Sequence, residues 1–120
     1  MDNKLQQRFN ELKHIWQKET LKSNDAEMFS HIAYLKIISM GKKAVPMIMN
    51  ELENGVDQWF KALMAITDQN PCLEYIAKNS NVKPGKFNLD VTIIPLTIRR
   101  DVWLKWWEEN KDEYLNKGVN

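Results

Sequence analysis

From Leu5 the apolar positions Leu5, Phe9, Leu12 and Trp16 step by four, three and four residues, while the positions between them carry Lys, Gln, Arg, Glu and Asn. Residues at this spacing share one face of a helix, so the pattern predicts an amphipathic helix that ends near Glu19. Ser23-Asn24-Asp25 follows, a cluster of helix-capping side chains, and Asn24 with Glu27 three places on reads as a capping box. A second helix is therefore expected from about Asp25 or Ala26 to Met40. Its buried stripe is expected to be Phe29, Ile32, Leu35 or Ile37, and Ile38.

The stretch Met40 to Thr67 is punctuated twice. Gly41 can end a helix in the left-handed conformation, and Pro46 suits a first helical turn, where no amide is needed. Apolar residues recur at Val45, Ile48, Met49 and Leu52 and, after the Asn54-Gly55 break, at Trp59, Phe60, Leu63 and Ile66. Two short antiparallel helices follow from that pattern. Asp68-Gln69-Asn70-Pro71 closes the second of them, and Leu73 to Lys78 reads as a further short helix.

Lys86 to Ile98 (KFNLDVTIIPLTI) is apolar and β-branched without a helical period, and Pro84-Gly85 and Pro95 interrupt it. Such a segment is expected to pack over the helices as an extended strap; the alternative is an exposed binding segment. Asp101 to Leu115 restores a helical pattern, with Trp103, Trp106 or Trp107, Asn110 and Tyr114 on one side, and residues 116–120 are expected to fray.

At AVPMIMNEL followed by WFKALMAI the chain resembles a HEAT-like repeat, the paired-helix unit of α-solenoids. Ala44, Val45, Pro46, Leu52, Ala62, Leu63 and Ile66 carry the resemblance. The link between the two helices is shorter than the family's, and Asn54-Gly55 and Trp59-Phe60 stand where an Asp and a Val-Arg are usual. The C-terminal Trp-x-x-Trp-Trp-Glu-Glu-Asn is similar to the terminal segment of some bacterial HEAT-like proteins. The resemblance implies binding to macromolecules rather than catalysis. A solenoid needs three or more repeats to bury its faces, and this chain has room for two units at most. The expectation is thus an all-α fold: a compact bundle of about five helices, with HEAT-like hairpin packing and one strap, in a single domain over 1–120.

Composition narrows the function classes. With 120 residues, 43% hydrophobic and 28% charged, the chain has the make-up of one globular domain, and no apolar run reaches the ~20 residues that span a bilayer. Met1-Asp2-Asn3-Lys4 leads into a polar helix rather than a secretory apolar region, and Cys72 is the sole cysteine, so a cytoplasmic location is expected. Seventeen basic against sixteen acidic residues give a net charge of +1, without the basic excess that drives non-specific nucleic-acid binding.

Candidate chemistry is sparse. His14 and His31 lie on different predicted helices without a second ligand at metal spacing, and Cys72 follows Pro71 in no nucleophile context. Lys83-Pro84-Gly85-Lys86 lacks the remaining residues of a phosphate loop, and Glu108, Glu109, Asp112 and Glu113 alternate with lysines as solvated helix pairs do. No catalytic residue, metal site or cofactor is assigned, and an enzyme is not expected.

Five tryptophans stand out in so short a chain. In the pairs Trp59-Phe60 and Trp106-Trp107, neighbours on a helix point about 100° apart, so one member of each pair is a candidate exposed anchor for a protein partner; the alternative is a wide stripe that buries both. The expected function is a non-enzymatic protein-binding module, an adaptor or inhibitor of a macromolecular partner, by analogy in a bacterial or phage defence or counter-defence setting. The alternative is a nucleic-acid-binding protein using Lys42, Lys43, Lys61, Arg99 and Arg100. A homodimer through the tryptophan-rich helix is a further arrangement.

Overall fold

The structure, a computed structural model, describes residues 3–55, 58–79 and 94–115. They form α1 (Asn3–Glu19), α2 (Asp25–Ser30), α3 (Ile32–Ser39), a 3-10 turn (Gly41–Ala44), α4 (Val45–Glu53), α5 (Phe60–Thr67), α6 (Pro71–Asn79) and α7 (Leu96–Leu115). Among the described residues there is no strand, and the all-α class holds with seven α-helices rather than about five. The chain divides into two compact units, Met1–Ile48 with Gln58–Asp68, and Met49–Asp57 with Gln69–Asn120.

Two departures separate the structure from the expectation, and the first of them adds a helix. The predicted second helix is broken at His31, whose backbone is extended (φ −61°, ψ 137°), so α2 ends at Ser30 and α3 starts at Ile32. Asn24 does form the capping box: its side chain accepts from the Glu27 amide at 2.8 Å, and Glu27 accepts from the Asn24 amide at 3.2 Å. At the break His31 acts as a second cap, its Nδ1 accepting from the Ala33 amide at 3.0 Å. Because the break resets the helical phase, α3 buries Ala33, Tyr34 and Ile37, and Ile32 and Leu35 of the predicted stripe turn outward.

The second departure concerns the predicted strap. Residues 86–93 lie outside the described residues, but Ile94 is buried and Leu96, Thr97 and Ile98 are the first turn of α7. Pro95 opens that helix, its carbonyl accepting from the Ile98 and Arg99 amides at 3.0 Å each. The helix carries apolar residues on several faces, which is why its first turn shows no helical period.

In the first unit α3 is central, packing on α1, α2 and α5, and α5 also meets the 3-10 turn. Gly41 takes φ +73° after α3, the left-handed position expected of it. The core of this unit is aromatic: Trp16 lies 4.8 Å from Trp59 and 4.9 Å from Tyr34 between ring centroids, and Phe9 stacks on Trp59 at 5.7 Å. Trp16 also donates from its indole N–H to the Met28 carbonyl at 2.9 Å, satisfying one of the last carbonyls of α2, which lack amide partners once that helix stops.

In the second unit α6 packs on α7. Trp103 meets Trp106 edge-on at 5.1 Å, and Tyr114 closes the cluster at 5.7 Å from Trp106 and 6.1 Å from Trp107. Among the described residues, no helix is long and apolar enough to cross a membrane.

Candidate protein-docking face

The four aromatic residues marked by their pairing as candidate anchors are all buried: Trp59 is 0% exposed, Phe60 6%, Trp106 8% and Trp107 7%. The wide-stripe arrangement is the one realised, because short helices around a small core use two adjacent ring directions at once. Trp59, at the N-cap of α5, lacks a capping side chain of its own. Tyr34 replaces it: its hydroxyl accepts from the Ala62 amide at 2.9 Å and donates to the Gln58 carbonyl at 2.9 Å. Burial of this phenol raises its pKa well above the usual phenol range, so it stays a hydrogen-bond donor at any ordinary pH.

The residues proposed for phosphate contact are scattered in role. Lys42 and Lys43 are exposed on the 3-10 turn, and the Lys61 ammonium sits 5.4 Å above the Phe29 ring. Arg99 Nε donates to the Ile94 carbonyl at 3.1 Å, and Arg100 lies 3.6 Å from the Asp101 carboxylate. These contacts use the three side chains locally.

Chemistry is equally limited. Among the described residues no group of three metal-ligating side chains occurs. Cys72 is buried, and burial pushes its thiol up to about 11 despite the opposing charge of Arg99, so it is a protonated, unreactive thiol near neutral pH. Among the described residues one carboxylate–imidazole contact occurs, His31 Nε2 to Glu19 at 2.8 Å. With Nδ1 accepting from Ala33, the neutral ring carries its proton on Nε2 and donates it to Glu19, leaving no ring nitrogen for a substrate.

What the first unit does present is aliphatic. Ile15 is 39% exposed, Ile32 61% and Leu35 45%, with Leu21 more exposed still in the turn after α1. Their placement follows from two contacts. Glu19 meets His31 and Trp16 meets Tyr34, so α1 and α3 run antiparallel. Ile15 lies four residues before Glu19 and Leu35 four after His31, which puts both on the same open side of the α1–α3 seam, one turn along. Ile32, three before Leu35, extends the strip across α3. Around it stand the exposed charges Glu11, Lys18 and Glu19 on α1 and Lys36 on α3.

Sequence reasoning assigned Ile32, and Leu35 or Ile37, to the core; Ile37 is buried there, while Ile32 and Leu35 form this strip, which the reading did not foresee. The signal that competed was the alternative spacing Ala33, Tyr34, Ile37, available because α3 is apolar on nearly every face.

In the second unit, Tyr75 and Trp106 line a groove of about 300 Å³ between α6 and α7, with Glu74, Lys78, Lys105 and Glu109 around them.

The chain matches no protein-family model, no curated protein and no solved structure.

Proposed function

We propose that this protein is a non-enzymatic, HEAT-like helical module of the cytoplasm that binds another protein through the α1–α3 face. The observation that carries the reading is the outward turn of Ile15, Ile32 and Leu35 on one side of the seam, inside a ring of charged residues. An apolar centre with a charged rim is the composition of protein interfaces, and solvent-facing isoleucine and leucine grouped in this way are unfavourable unless something covers them. The buried Trp16 and Trp59 then serve the fold of the unit that carries the face, and the module acts as an adaptor or inhibitor by occupying its partner's surface.

The test is capture from nuclease-treated lysate of the host with tagged wild type and with Ile32→Glu/Leu35→Glu. A stoichiometric protein held by the wild type and lost from the variant is expected. A catch unchanged by the substitutions, or one that disappears with nuclease, contradicts the reading, and the latter outcome would favour the lysines and arginines as nucleic-acid contacts.

A further inference from the structure

We infer that the occupant of the α1–α3 face is a second copy of this chain, which rests on the protein-binding reading and names its partner. The argument is charge complementarity. The aliphatic strip is flanked by two lysines, Lys18 and Lys36, and two glutamates, Glu11 and Glu19. Among the described residues the only ion pair these four make is that of Glu19 with His31. A partner of a single sign would be repelled by half of this rim. A two-fold copy is not: in an isologous interface each patch meets itself reversed, so with the axis near Ile15 the Lys18 of one α1 can face Glu11 of the copy's α1, and Glu11 its Lys18. Net charge agrees, since a chain at +1 approaches its own copy without long-range repulsion.

Geometry agrees as well. An antiparallel helix pair with an apolar strip along its seam closes against a second such pair as a four-helix bundle. The 17 residues of α1 span about 25 Å, so the face offers a few hundred Å² per copy, below the ~800 Å² per partner of a standard stable interface and in the range of weak, transient ones. The dimer is therefore weak, and its population depends on concentration.

Sedimentation velocity across a concentration series tests this, with helicity checked by circular dichroism. Wild type is expected to pass from monomer to dimer as concentration rises, and Leu35→Glu to associate about a hundredfold more weakly or worse with unchanged helicity, because each copy would have to bury the new carboxylate. A second pair of variants does not disturb the apolar strip. Lys18→Glu/Lys36→Glu, with a wholly acidic rim, is expected to stop self-associating yet to pair with Glu11→Lys when the two are mixed. Wild type that stays monomeric throughout overturns the inference; if Ile32→Glu/Leu35→Glu still loses a captured host protein, the protein-binding reading survives with a different partner, and if it loses none, both fail. A dimer that persists in Leu35→Glu overturns the inference by placing the interface elsewhere.

Discussion

The Tyr34 hydroxyl accepts the Ala62 amide across 28 residues of sequence, doing for α5 what an N-cap side chain would do. The same oxygen donates to the Gln58 carbonyl, so one atom ties α3 to the start of α5. Tyr34→Phe keeps the ring in the aromatic core and leaves both backbone groups without that partner. A loss of about 1–3 kcal/mol is expected in urea unfolding, with little change in the slope of the transition. An unchanged midpoint would show that the hydroxyl is not the cap.

Trp16 and Trp59 have equal burial but different wiring, and truncation should separate them. The Trp16 N–H is bonded to Met28, whereas the buried Trp59 N–H finds no hydrogen-bond partner among the described residues. Trp16→Phe therefore removes volume and also orphans a carbonyl, while Trp59→Phe removes volume alone. The first is expected to cost about 1 kcal/mol more than the second in thermal or urea unfolding. The reverse order would contradict the bonding described for the two indoles.

Cys72 links stability to alkaline pH. Its folded thiol ionises near 11, above the unfolded value of 9, so the native state holds a proton that the unfolded chain releases first. Stability from this group is complete below pH 9 and falls as pH rises to about 11, by up to about 2–3 kcal/mol. Cys72→Ala is expected to remove that share of the alkaline decline, measured as the difference in unfolding midpoint between the two proteins at pH 8 and pH 10.5. In the native wild type near neutral pH, a thiol reagent should react with Cys72 far more slowly than after denaturation.

Local signals were legible in this sequence and phase was not. The capping box at Asn24, the left-handed Gly41 and the periods of α1, α4 and α5 each depend on residues within a turn of one another, so the order of residues contains them. The break at His31 depends on Glu19 and Ala33 holding the two ring nitrogens, and the Glu19 contact spans twelve residues. A continuous helix and a broken one share the same composition there. Choosing wrongly rotates every later side chain of α3, which is how Ile32 passed from expected core to observed surface, and why Ile37 rather than its alternative Leu35 is the buried one. At the aromatic pairs adjacency alone left open whether one member points outward or a wide stripe buries both, and with short helices the core reaches both.

The most direct test of the account is the melting temperature of Ile32→Glu/Leu35→Glu, measured at a concentration where the wild type is monomeric. If these side chains form an outward docking strip, two glutamates on an exposed helix face cost little, and a melting temperature within a few degrees of wild type is expected. A collapse of the fold, as two buried carboxylates would cause, would show that Ile32 and Leu35 belong to the core and that the α1–α3 face is no docking surface.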